Sequence, residues 1–270
     1  MGRRSYWVVA ILILGYLFLY GPILSLIVYS FNESRLVTVW GGFSTRWYRE
    51  LMQNEQILGA AWLSIRIAAV NATAAVILGT LAGYALARFR RFRGRTLFTS
   101  LITGPLVMPD VIIGLSLLLL FVAMEQAIGW PDGRDAVTIA IAHITFSMAY
   151  VAVVVQSRVA QLDPALEEAA LDLGARPAGV FFKISLPIIA PALAAGWLLA
   201  FTLSLDDLVI ASFASGPGAT TLPMVVYSSV RLGVSPQINA LATIIVGLVA
   251  AGVAISGLVL WRQERRVARR

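Results

Sequence analysis

The sequence predicts an all-α, polytopic membrane protein with six transmembrane helices, and three observations predict it. Of 270 residues, 59% are hydrophobic and 13% charged, whereas a soluble domain carries roughly 45–50% and about 25%. Six apolar runs, near 7–29, 58–86, 97–123, 136–156, 188–213 and 238–261, reach the about 20 residues that a helix needs to cross a bilayer. Each run is continuously apolar instead of alternating, which selects helices over a membrane barrel.

The elements follow in order. The first run comes after Met1-Gly2-Arg3-Arg4. It exceeds the roughly 7–15 apolar residues of a signal peptide and lacks a small-x-small cleavage site, so it reads as a retained helix. The second run carries Ala75, Gly79, Gly83 and Ala87 at intervals of four. Gly79 and Gly83 form a GxxxG step that lets another helix approach closely. Gly247 and Ala251 repeat that spacing in the sixth run. The third run is interrupted at Gly104-Pro105 and Pro109-Asp110. Proline at membrane depth frees carbonyls and kinks a helix. The fourth run holds the one histidine, His143, which reads more readily as a packed, hydrogen-bonded residue than as a ligand. We take residues 1–270 as a single transmembrane domain.

The net charge of +7 is a topology signal. Arg3, Arg4, the cluster Arg88 to Arg95, Arg158, Arg176, Lys183 and the C-terminal arginines from Arg262 to Arg270 fall on one side. Arg35, Arg46, Arg49, Arg134 and Arg231 fall on the other, and Arg66 lies inside the second run. The positive-inside rule then places both termini in the cytoplasm. No basic segment is large enough to read nucleic acid. Enzymatic chemistry has no candidate site: there is no phosphate loop, no His-Glu-x-x-His, no nucleophile elbow and no metal-ligand spacing. With no cysteine, disulfide scaffolds, thiolate chemistry and cysteine zinc sites are excluded too.

The cytoplasmic loop 157–187 does not have a loop's composition. Asp163-Pro164 supplies an N-cap and a first-turn proline, and Glu167 and Glu168 follow where the helix dipole favours acids. Leu166, Ala169, Ala170 and Leu173 share one face, and Gly174 ends the helix. Pro177 opens a second short helix that runs to Ile184. A helix of about ten residues is unstable alone in water, so one projecting from the membrane with two faces needs a partner surface.

Glu168-Ala169-Ala170, Gly174, Ile184 and Leu186-Pro187, at their spacings, resemble the EAA loop of the permeases of ABC importers. Tyr29 to Asn32, Pro105 to Asp110, Phe201 to Asp207 and Ser215 to Met224 resemble the polyamine (putrescine-type) branch of these binding-protein-dependent inner-membrane components. The resemblance covers nearly the whole chain. It implies the type I ABC importer permease fold and a bacterial inner-membrane location. It implies a heterodimer with a second related permease, two copies of a cytoplasmic ATPase and a periplasmic polyamine-binding protein. ATP and Mg are then bound by the ATPase, with no cofactor in this chain. The EAA loop becomes the ATPase-coupling element, with Glu168 its acidic contact and Gly174 its sharp turn.

Charge supports a cationic cargo. With these assignments the cytoplasmic side carries +10, the membrane layer −2 and the outer side −1. Asp110, Asp206 and Asp207 lie at membrane depth, where a carboxylate costs about 2.5–3.5 kcal/mol and marks a path or a pair. Asp206 and Asp207 sit roughly 27 Å along the fifth helix by helical rise and point about 100° apart. Trp197, Phe201 and Tyr150 add aromatic faces for an alkylammonium ion. Arg66 is the competing explanation, as a buried partner for Asp207 or Asp110. On the outer side, 44–51 reads as an interfacial helix anchored by Trp47 and Leu51, or as a contact for the binding protein. Thr221 through Gly233 reads as a short helix over the pore mouth. The expected function is a permease subunit of an ATP-driven importer of putrescine or spermidine. The alternatives are a secondary transporter driven by an ion gradient, a non-transporting scaffold, and an ABC permease for another cation.

Overall fold

Apolar runs too long for a soluble helix become long helices in the computed structural model, which describes residues 3–36, 39–89, 91–232 and 235–267. Arg90, Gly233, Arg269 and Arg270, which entered the charge and loop assignments, lie outside the described residues. The helices are α1 Arg3–Tyr29, α2 Arg46–Met52, α3 Glu55–Arg88, α4 Arg95–Val107, α5 Asp110–Ile128 and α6 Ala136–Ala160. They continue with α7 Pro164–Asp172, α8 Pro177–Val180, α9 Leu186–Leu205, α10 Val209–Ala214, α11 Leu222–Leu232 and α12 Pro236–Val267. A π-helical turn, Phe181–Ser185, joins α8 to α9. Among the described residues, extended pairing is limited to one bridge between Asn32 and Phe43.

Five segments are long and apolar enough to cross a membrane: Tyr6–Tyr29, Glu55–Arg88, Asp110–Ile128, Ala136–Ala160 and Pro177–Leu205. The start of α12, Pro236–Gly252, is also apolar. The expected third span divides. Pro105 sits inside α4 without ending it, and the chain becomes extended only at Met108 and Pro109. Proline disfavours the helical region for the residue before it, so the break falls there and α5 supplies the full-length helix. The fifth run ends earlier than expected, because α9 stops at Leu205, and its helical segment begins earlier, at Pro177.

The chain forms two compact units, 1–58 with 226–270, and 59–225. In the larger unit, α6 is the hub. Its N-terminus is closed by a capping box: the Val137 and Thr138 amides donate to Asp135 Oδ1, and the Asp135 amide donates to Thr138 Oγ1. Ile139, Ala142, Val151, Val155 and Val159 on α6 are fully buried. The GxxxG step performs as expected. A Cβ on Gly79 would lie 2.7 Å from Val151 Cβ, and one on Gly83 would lie 2.5 Å from the Ala152 carbonyl oxygen. Gly114 of α5 accommodates the Phe213 ring of α10 in the same way, at 2.6 Å. In lipid, helices associate through such close contacts and not through a hydrophobic driving force. Gly83→Ala is therefore expected to destabilise the bundle by about 1–3 kcal/mol, because the obstructing atoms are backbone. A lowered thermal-unfolding midpoint in detergent is the measurement, and an unchanged midpoint would refute the packing argument. Gly247 differs: nothing approaches its missing Cβ within 4 Å, so the expected packing step in the sixth run is not one among the described residues.

In the smaller unit, α1 buries none of its apolar residues from Tyr6 to Tyr29, as suits a helix that meets lipid or another chain all round. The expected interfacial anchor at 44–51 is corrected. Trp47 and Leu51 are 2% and 1% exposed, and Trp47 Nε1 donates to the Asn32 carbonyl at 2.6 Å. Asn32 is itself buried and satisfied by the Leu36 and Val39 carbonyls and the Ser34 and Gly41 amides. An indole N–H needs a partner when buried, and here protein supplies it, so the side chain faces inward and not toward headgroups.

Candidate functional site

Two places carry the polar chemistry of the larger unit: the helix α7 with its surroundings, and the break between α9 and α10.

Helix α7 forms where local rules place it. The Asp163 carboxylate accepts from the Ala165 amide at 3.0 Å, and Pro164 takes the first position. The helix ends in a Schellman motif: the Ala175 amide donates to the Ala170 carbonyl and the Gly174 amide to that of Leu171. Gly174 has φ +84°, a left-handed conformation that only glycine adopts at no steric cost. The expected second helix, from Pro177 to Ile184, is corrected. It is α8 followed by the π-turn, and it runs into α9 without interruption. No residue of α7 is buried. Leu166 and Leu173 are 49% and 90% exposed, Glu168 and Ala169 are exposed and Ala170 is half-buried. The apolar face predicted for a partner is therefore largely uncovered in this chain, with Ala170 its one half-buried member.

The acid that turns inward is Glu167, which sequence reasoning treated only as a helix-start residue. Its Oε2 lies 2.9 Å from Arg88 Nε, at the C-terminus of α3. Its Oε1 accepts from Ser185 Oγ at 2.5 Å and from Tyr84 Oη at 3.3 Å. Arg88 Nη1 also donates to the Leu162 carbonyl at 3.3 Å. A cleft of about 420 Å³ opens beside this group, lined by Ala87, Arg88, Pro164, Glu167, Glu168 and Leu171. The sequence signal that could have found Glu167 is the arginine closing the second run, which needs an acid if it is not solvated.

At the other end of α9, the two adjacent aspartates separate. They do not ride on one continuous helix, as expected from the sequence. Asp206 is the C-cap of α9, and Asp207 lies in the break that follows. Asp207 Oδ2 accepts from the Ala211 amide at 2.7 Å and Oδ1 from the Ile210 amide at 3.3 Å, so its carboxylate caps α10. Asp207 Oδ2 also lies 3.1 Å from His143 Nε2, and His143 Nδ1 lies 2.7 Å from Ser204 Oγ. An ionised carboxylate only accepts, so Nε2 carries a proton toward Asp207 and, in the neutral ring, Nδ1 accepts from Ser204. His143 is 2% exposed, which matches its expected role as a packed, hydrogen-bonded residue. The competing ion pair with Arg66 is not formed. Arg66 is exposed, and among the described residues the ion pairs are Arg46–Glu50, Arg88–Glu167 and His143–Asp207.

Asp206 is exposed, and no basic side chain pairs with it among the described residues. It stands at the helix end where the backbone already presents about half a negative charge. Asp110 is exposed too, but it opens α5, where the dipole favours an acid. Trp197 and Phe201 are stacked, 5.2 Å between centroids, and Trp197 Nε1 donates to Thr73 Oγ1 at 3.2 Å. Tyr150 packs edge-on against Phe146 on α6. Between α3, α6 and α9, the buried Asn71 donates to Ser147 Oγ and to the Ala200 carbonyl. Its signal in the sequence is a lone amide within an apolar run. On α11, the Leu222 amide donates to Ser64 Oγ at 2.8 Å.

Comparison with known proteins adds an independent finding. Residues 75–269 match the family described as the binding-protein-dependent transport system inner membrane component. The chain is 63% identical over 258 residues to the putrescine transport system permease protein PotI of Escherichia coli K12, covering 96% of this chain and 90% of that one. It is 43% identical over 245 residues to the spermidine/putrescine transport system permease protein PotC of the same organism, covering 90% of each. Among solved structures, a bacterial ABC transporter involved in import of the acidic polysaccharide alginate matches with a TM-score of 0.70 at 19% identity, covering 96% of this chain and 97% of that one. That likeness supports the fold alone.

Proposed function

This chain belongs to the family of binding-protein-dependent transport system inner membrane components, and from that membership we propose that it is the permease subunit of an ATP-driven polyamine importer, with putrescine as its first cargo. It is a multi-pass inner-membrane protein and not an enzyme. The observation that carries the cargo is the 63% identity, across nearly the full length, to a putrescine permease. The carboxylate of Asp206 at the negative end of α9, which no basic side chain pairs with among the described residues, supports it, because that position suits an alkylammonium ion and repels an anion.

In this reading both termini face the cytoplasm, and a second permease completes the path. Cytoplasmic ATPases dock on α7 through Glu168 and the largely uncovered face of Leu166, Ala169, Ala170 and Leu173, and Gly174 sets the turn that follows. ATP and Mg stay with the ATPases. A periplasmic binding protein delivers the polyamine. Asp206 is the first carboxylate of the path, Asp110 a second, and Trp197, Phe201 and Tyr150 supply aromatic surface. Asp207 acts beside Asp206 by holding the break open through His143. The test is reconstitution in proteoliposomes with the sister permease, the ATPase and the binding protein, challenged with putrescine, spermidine and a neutral diol of matching length. ATP-dependent accumulation of the diamine and not of the diol is expected. Accumulation without ATP, driven by an ion gradient, would overturn the reading.

A further inference from the structure

Glu168 is exposed, whereas its neighbour Glu167 turns into the chain. Glu167 ties three elements at one carboxylate. Arg88 ends α3 and meets one oxygen, while Ser185 of the π-turn and Tyr84 of α3 meet the other. Both members of the ion pair are largely enclosed, with side chains 15% and 13% exposed, so water competes weakly for either charge. Tyr84 is fixed in turn by an edge-on contact with Phe181, the first residue of the π-turn, 5.1 Å between centroids.

The π-turn is the second observation. Its i→i+5 bonding interrupts α-helical geometry between α8 and α9, and such turns are frequent at functional sites. Ser185 is fully buried at its end and leads directly into α9, whose far end carries Asp206. Apart from the half-buried Ala170, the rest of α7 is exposed, and among the described residues Glu167 is its one side chain with a hydrogen bond or ion pair to another element.

We propose that Glu167 is a positioning residue that converts displacement of α7 into displacement of α3 and α9, with the Arg88 ion pair and the Ser185 hydrogen bond as the two links. The proposal rests on the importer reading above. It differs from an ATPase contact, because Glu167 is turned into this chain and acts through Arg88 and Ser185.

The test uses the complete importer in proteoliposomes with radiolabelled putrescine, and reads putrescine accumulated per ATP hydrolysed. Glu167→Gln keeps shape and removes charge. The expected result is an assembled complex that still hydrolyses ATP but accumulates about tenfold less putrescine per ATP, within the ~5–150-fold range of coupling between sites. Glu167→Asp recovers part of the ratio. The charge-exchanged pair, Arg88→Glu with Glu167→Arg, recovers it more than either single exchange. A residue that only stabilised the fold would lower the amount of complex and leave the ratio unchanged. If Glu167→Gln does not accumulate in the membrane, Tyr84→Phe with Ser185→Ala, which keeps every charge, replaces it and is read in the same way. A wild-type ratio in the assembled variant overturns the proposal. Failure of the wild-type importer to accumulate putrescine overturns instead the cargo assigned above, so the two failures are distinct.

Discussion

Glu168→Lys is expected to leave the chain folded in the membrane and strip it of its ATPase. Helix α7 buries no residue, and Glu168 is exposed, so reversing its charge breaks no ion pair among the described residues and costs only the dipole preference for an acid there, within about 1 kcal/mol. At a docked interface the same exchange removes one member of a charge pair and leaves the other unpaired, which costs about 2–5 kcal/mol, or more than tenfold in affinity. Co-purification of the ATPase with tagged permease, with the membrane level of the permease as control, measures both. Normal ATPase recovery together with normal uptake would remove Glu168 from the docking surface. The paired comparison with Glu167→Gln is informative because the residues are neighbours. One variant is expected to lose the partner, the other to keep the partner and lose the transmission.

The contrast between these two acids also shows what a sequence exposes. Asp163, Pro164 and Gly174 act through their own backbone and the next few residues, and each stands in the structure where capping rules place it. The glycines of the second run follow the same logic one step out: a missing side chain every four residues announces a close helix without saying which one. Glu167 and Glu168 cannot be separated in this way. Both lie near the start of an exposed helix, and what turns Glu167 inward is an arginine closing a different helix. Asp206 and Asp207 pose the same problem. Their adjacency suggests a continuous helix, yet His143 from α6 and the amides of α10 hold Asp207 in a break. Trp47 misled for a related reason, since tryptophan suits a membrane interface and a buried pocket equally well, and the Asn32 carbonyl decided between them. Period and capping are local, whereas the partner of a polar group is not.

Asp206→Asn is expected to impair transport strongly while the ATPase stays docked. The change removes the charge and keeps the size, at a carboxylate that no basic side chain pairs with among the described residues. A charge-assisted hydrogen bond to a diamine is worth about 1.5–3 kcal/mol, so putrescine uptake should fall about 10–100-fold. The accompanying stability change has the opposite sign. Asp206 caps the C-terminus of α9, where a negative charge opposes the helix dipole, and removing it relieves about 0.3–1 kcal/mol at such an exposed position. The variant should therefore unfold at the same or a slightly higher temperature, with basal ATPase activity retained. Asp207→Asn makes the control: it weakens a cap and a histidine partner, and should lower thermal stability along with uptake. Loss of transport accompanied by a gain in stability is the signature of a group kept for its ligand. Normal uptake in Asp206→Asn would take Asp206 out of the path. A matched loss of stability would make Asp206 part of the scaffold.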